Sequence, residues 1–255
     1  MKVTILGSGT CVPRLSRSAS AILVEVESSK ILLDLGPGTL RRLLEYGVNL
    51  SEIGYIFLSH FHPDHSAELI SFLFAAKYPS RRRRNGVLHV LGGVGLQRLY
   101  AALQTAFGKW IELPAGQLIL TELDTILGET KTFQDFTIQA RPVNHQPESL
   151  AYRVEDRQAK AMVYSGDTDV SDNLVALAKG ADLFICESAV PDELKETGHL
   201  TPALAGEAAR RAGAKRLVLT HLYPECDEVD LRAQAAVAYD GPIVIAEDLL
   251  SFVLK

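Results

Sequence analysis

The segment Ser59-His60-Phe61-His62-Pro63-Asp64-His65 constrains this chain more than any other. It puts three imidazoles and a carboxylate within six residues, in a chain that holds only seven histidines. Imidazole nitrogens and carboxylate oxygens are ligands for zinc and related divalent ions. An apolar run at 55–58 precedes the segment, and apolar residues of helical period follow it at 66–78. The ligands therefore belong to a strand-to-helix turn at the end of a sheet. Four such groups cannot all reach one ion from a single strand face. A curled loop would turn His60 and His62 to one ion, and Asp64 and His65 to a second.

Two ions need further ligands, and three are expected just past apolar strands. His145 follows a strand at 136–143, Asp167 one at 161–165 and His221 one at 215–220. Taken singly, a histidine after a strand is an ordinary polar residue. Together the three complete a set at one sheet edge.

The remaining pattern describes what carries that edge. Strands are expected at 3–6, 21–26, 30–34, 87–91, 117–121, 131–133, 150–154, 182–186 and 243–245. Helices are expected at 39–46, 95–107, 173–179, 201–212 and 230–239. Thr39 is read as the cap of the first helix. Thr201-Pro202 starts another, and Gly213 ends it. No linker interrupts the chain, so a single domain over 1–255 is expected, with sheets inside and helices outside. Both halves open with strands and end in mixed strand and helix, which hints at a duplicated layout.

Composition removes several classes. With 47% hydrophobic residues, 255 residues bury a core without disulfides. Cys11, Cys186 and Cys226 are far apart and lack CxxC spacing, which argues against a disulfide framework and a cysteine zinc site. Reduced thiols suit a cytoplasmic protein. The first apolar run is too short for a signal peptide, and no stretch has the length of a membrane helix. A net charge of -5 makes a poor general nucleic-acid binder. Arg81 to Arg84 are read as a solvated loop, with phosphate or RNA contact as the alternative. Gly92-Gly93-x-Gly95 lacks Rossmann spacing and a following Lys-Ser/Thr, so it is read as a turn. His89, beside Val and Leu in a strand, is read as structural.

The pattern His60-x-His62-x-Asp64-His65, with His145, Asp167 and His221 in order, resembles the metallo-β-lactamase fold superfamily over nearly the whole chain. The resemblance implies an α/β (α+β) fold, a four-layer αββα sandwich. It implies that His60, His62 and His145 hold one ion, that Asp64, His65 and His221 hold the other, and that Asp167 bridges both. Finer motifs resemble the branch of ribonuclease Z and its phosphodiesterase relatives. They are Gly7-Ser8-Gly9-Thr10 with Pro13, and Leu33-Asp34-Leu35-Gly36-Pro37-Gly38-Thr39. The His/Pro segment from Asn144 to Tyr152, Ile185-Cys186-Glu187-Ser188-Ala189 and Gly198-His199-Leu200-Thr201 complete the set. In ribonuclease Z a long arm that grips tRNA follows the His/Pro strand. Here residues 152–161 run straight on, with room only for a short turn. That departure favours small phosphodiesters, such as cyclic nucleotides or cyclic sugar phosphates, over tRNA.

The chemistry expected is hydrolysis at a dinuclear centre that activates a water for attack on phosphorus. Zinc suits the His-rich set, with manganese and iron as alternatives. Asp64 is expected to orient the nucleophile as well as to bind metal. His199 is expected to stabilise the phosphorane or protonate the leaving oxygen, with Glu187 holding His199 by a hydrogen bond. Asp34 is expected to orient a ligand histidine in the same way. The rival readings are a tRNA 3′-endonuclease and a lactone, thioester or sulfate-ester hydrolase of the same fold. A small phosphodiester is the expected partner, RNA the alternative and membrane none. A homodimer is what the resemblance implies.

Overall fold

The computed structural model describes residues 1–78 and 86–255. Arg81 to Arg84 therefore lie outside the described residues. Among the described residues, fourteen strands form two seven-stranded sheets. The first contains β1 (Lys2–Gly7), β2 (Ala21–Val26), β3 (Ser29–Leu33), β4 (Tyr55–Leu58), β5 (Leu88–Gly92) and β6 (Leu118–Glu122). The second contains β7 (Glu129–Thr132), β8 (Phe136–Pro142), β9 (Leu150–Asp156), β10 (Ala161–Tyr164), β11 (Leu183–Glu187), β12 (Leu217–Thr220) and β13 (Ile243–Ile245). The last strand, β14 (Ser251–Val253), returns to the first sheet and pairs antiparallel with β1. It was not expected from the sequence: three residues with one buried side chain carry too little alternation to be read.

Each sheet begins with antiparallel strands and continues with parallel ones. In the first sheet β1, β2 and β3 are antiparallel and β3 to β6 parallel. In the second, β7 to β10 are antiparallel and β10 to β13 parallel. The layout expected of each half is thus repeated. Parallel neighbours finish at the same edge, so the loops that leave β3, β4, β10, β11 and β12 gather there. Open α/β sheets bind ligands at that carboxyl edge for this reason.

Side-chain alternation gives the central strands two apolar faces. On β11, Leu183 and Ile185 enter the core between the sheets, while Phe184 and Cys186 face outward under helices. On β4, Phe57 points inward and Ile56 and Leu58 outward. Strands buried on both faces read as continuous apolar runs. The first outer face is covered by α1 (Thr39–Tyr46), α3 (Glu68–Lys77) and α4 (Leu96–Phe107), with the single turn α2 (Pro63–Ser66) leading into α3. The second is covered by α5 (Asp172–Leu177), α6 (Pro202–Ala212) and α7 (Leu231–Ala236). The result is the αββα sandwich. All three cysteines are free. No helix among the described residues is long and apolar enough to cross a membrane.

Two capping expectations change. Gly38, not Thr39, is the N-cap of α1, and its φ of 100° is one that glycine adopts without strain. The Thr39 hydroxyl donates to the Gly36 carbonyl, and Glu68 accepts the Gly38 and Leu40 N–H groups instead. A carboxylate from α3 satisfies the helix start, which sequence alone does not disclose. Thr201 does stand at the N-cap of α6 with Pro202 behind it, but its side chain makes no capping bond. The glycine turn before α4 is likewise filled. Glu122 accepts the N–H groups of Gly95 and Gln97.

Candidate metal centre

β4 ends in three fully buried apolar residues and delivers Ser59 and His60 to the sheet edge. Pro63 then opens α2 at its first turn, where a missing N–H costs nothing. This single turn of helix folds Asp64 and His65 back over the strand end. From the opposite sheet, His145 arrives after β8, Asp167 after β10 and His221 after β12. Glycine is required at position 166 beside Asp167. Its φ is +57°, and a Cβ there would lie 2.7 Å from the Ser59 Cβ.

All seven side chains expected as ligands meet. Ligand atoms of His60, His62, His145 and Asp167 lie within 4.8 Å of one another, and so do those of Asp64, His65 and His221. Asp167 touches both groups. Its Oδ1 is 3.2 Å from His65 Nε2, and its Oδ2 is 3.4 Å from His221 Nε2 and 3.7 Å from His60 Nε2. Asp64 Oδ2 lies 3.4 Å from His221 Nε2. His62 Nδ1 and His145 Nε2 are 3.3 Å apart.

The imidazoles are oriented from behind. His65 Nδ1 donates to Asp34 Oδ2 at 2.7 Å, and His145 Nδ1 donates to the Gly198 carbonyl at 2.9 Å. Those bonds place the proton on Nδ1 and leave Nε2 for the cluster. His221 differs, because its buried Nδ1 has no partner among the described residues.

The cluster fits a cation. His60 Nε2, His65 Nε2 and Asp167 Oδ1 are buried without a hydrogen bond among the described residues, although buried polar atoms are nearly always paired. Charge tells the same story. Burial pushes His60 well below the usual imidazole range, and the neighbouring His65 adds to it. For His65 burial works against the charge, but Asp167 and Asp34 outweigh it and hold the ring well above its ordinary value. Burial would also raise Asp167, yet His221 and His65 keep it well below the usual carboxylate range. Buried carboxylate surrounded by imidazole demands compensating positive charge.

His199 stands beside this cluster, its ring stacked on His221 with centroids 5.6 Å apart. Glu187, fully buried at the end of β11, accepts its Nδ1–H at 3.0 Å and the Thr168 and Leu200 N–H groups as well. Burial opposes a charge on His199, but the Glu187 contact prevails and pushes it up to about 9. Asp34 does orient a histidine, as expected. Sequence reasoning missed Asp169, whose Oδ2 accepts the Gly198 N–H at 2.9 Å and so fixes the carbonyl that His145 uses. Its position two residues after Asp167 was the only available signal. It also missed Tyr164, which donates to Asp34 at 2.7 Å and reads in sequence as core.

Residues 29–222 match the profile described as Beta-lactamase superfamily domain. A protein of Mycobacterium tuberculosis is 30% identical over 95% of this chain and 88% of its own length. The metallo-β-lactamase fold protein YhfI from Bacillus subtilis superposes with a TM-score of 0.83, at 25% identity over 98% of both chains. The short form of human tRNase Z gives 0.79, at 27% identity over 100% of both.

Proposed function

Since the chain belongs to the β-lactamase superfamily domain family and has the metallo-β-lactamase fold, we propose that it is a dinuclear metal-dependent phosphodiesterase acting on small or cyclic phosphodiesters. The observation that carries this reading is the pair of ligand groups joined by Asp167. His60, His62 and His145 would hold one ion, Asp64, His65 and His221 the other, and Asp167 both. Such ions supply an activated water and neutralise charge on phosphate oxygens. Zinc suits the set best, with manganese and iron as alternatives.

The chain itself contributes orientation and proton handling. Asp64 orients the attacking group as well as binding. His199, held at Nδ1 by Glu187, protonates the leaving oxygen. Glu187 acts through His199, which it positions by that hydrogen bond.

Two features support a small substrate. The β9–β10 turn is tight: Asp156 Oδ1 accepts the N–H groups of Gln158 and Lys160. A cleft of about 360 Å³, lined by Val12, Pro13, Arg17, Arg41 and Asp64 among others, adjoins the cluster, which is the scale of a small-ligand site. RNA cleavage of the ribonuclease Z type is the second reading, favoured by the similarity to human tRNase Z.

The test is hydrolysis of bis(p-nitrophenyl) phosphate by protein reloaded with zinc or manganese, with and without a chelator. Chelator-sensitive turnover is expected. Cyclic nucleotides should then be cut in preference to tRNA precursors. No turnover by fully metallated protein would overturn the phosphodiester reading and favour lactones and thioesters.

A further inference from the structure

Ser59 immediately precedes the first histidine of the cluster. Its side chain sits fully enclosed between two groups that matter. The hydroxyl donates to Asp34 Oδ2 at 2.7 Å and lies 3.1 Å from His60 Nδ1. A hydroxyl has one proton. Here it goes to Asp34, which is already a pure acceptor. The same carboxylate takes the Ser59 N–H at 2.6 Å, His65 Nδ1–H at 2.7 Å and the Tyr164 hydroxyl at 2.7 Å. With its proton committed, Ser59 Oγ can only accept from His60. The His60 proton must then sit on Nδ1, which leaves the lone pair on Nε2, the atom that lacks any hydrogen bond.

We infer that Ser59 is a positioning residue that relays the Asp34 carboxylate to His60. One buried acid thereby orients a histidine in each ligand group: His65 directly and His60 through the serine hydroxyl. Tyr164, reaching across from the second sheet, completes the acceptor's shell and pins Asp34 in place. Asp34 stands in the left-handed region at φ 63°, which costs an ordinary residue energy and puts its carboxylate under the cluster. Ser59 also packs against Gly166, next to Asp167, so the relay touches the joining carboxylate's loop as well. The inference rests on the metal-centre reading for its purpose, but its first test does not need a metal.

Long-range proton–nitrogen NMR correlations of ¹⁵N-histidine-labelled, metal-free protein report which nitrogen of each ring carries the proton. His60 is expected as the Nδ1–H form in the wild-type chain, and His65 with a proton held on Nδ1. Ser59→Ala should release His60 to a mixture and leave His65 unchanged, whereas Asp34→Asn should disturb both. Calorimetric titration with zinc should then show Ser59→Ala weakening one of two sites by about 10–100-fold, the usual cost of losing a hydrogen bond behind a ligand. Asp34→Asn should weaken both. A His60 proton found on Nε2 in the wild type would overturn the relay without any variant. So would zinc binding and a His60 tautomer that Ser59→Ala leaves unchanged. If the wild-type chain binds no divalent ion, the metal-centre reading falls and this role falls with it, a result distinct from either of those.

Discussion

At the residue scale, the roles proposed for side chains only ångströms apart rest on which of their atoms have partners. His60 and Asp167 offer unpartnered atoms to the cluster, whereas His199 is tied to Glu187. Replacing His199 by alanine is therefore expected to lower turnover by about 100-fold or more, the contribution typical of a positioned acid or base, while metal content by plasma emission stays at the wild-type value. Equal loss of metal would reassign His199 as a ligand, which its proximity to Asp167 and His221 makes a real test. Asp167→Asn should do the reverse. The amide cannot supply the charge that both groups use, so at least one ion should be lost, read by the same emission measurement.

At the element scale, the site depends on helices that press the second sheet into place. α6 packs against α7 where Gly206 meets the Ala235 backbone, and a Cβ at position 206 would lie 2.4 Å from the Ala235 carbonyl oxygen. Gly206→Ala is expected to destabilise the fold by about 1–3 kcal/mol, the range for overpacking, measured as a fall in urea midpoint. A stability equal to wild type would mean that the two helices slide apart freely. Gly93 shows the same logic nearer the site, since its missing side chain makes room for the Glu148 carbonyl behind His145.

At the scale of the whole molecule, the two sheets meet at the edge where buried carboxylates and imidazoles from both sides face each other. A cation bound there would bridge the sheets, so binding and folding are linked. At an ion concentration 100 times its dissociation constant, one site adds about 2.7 kcal/mol, which for a chain of this size raises the melting temperature by about 5–10 °C. Differential scanning calorimetry with and without zinc checks this, and an unchanged melting temperature would refute a bridging ion. The homodimer that the family resemblance implies predicts twice the chain mass of 27.8 kDa by light scattering.

Much of this protein was legible before any fold was seen. The strand into His60, the helix that follows the cluster and the candidate ligands His145, Asp167 and His221 follow from local hydrophobic pattern and side-chain chemistry. Local pattern is strong here because strands buried on both faces leave long apolar runs. Tertiary structure alone decided which atoms meet. The Ser59 hydroxyl turned to Asp34, Tyr164 crossing from the other sheet, Glu68 capping a distant helix and β14 closing the first sheet all join residues far apart in the chain. Such contacts leave no periodic trace in sequence, because hydrogen bonds between loops depend on where two sheets bring their edges together.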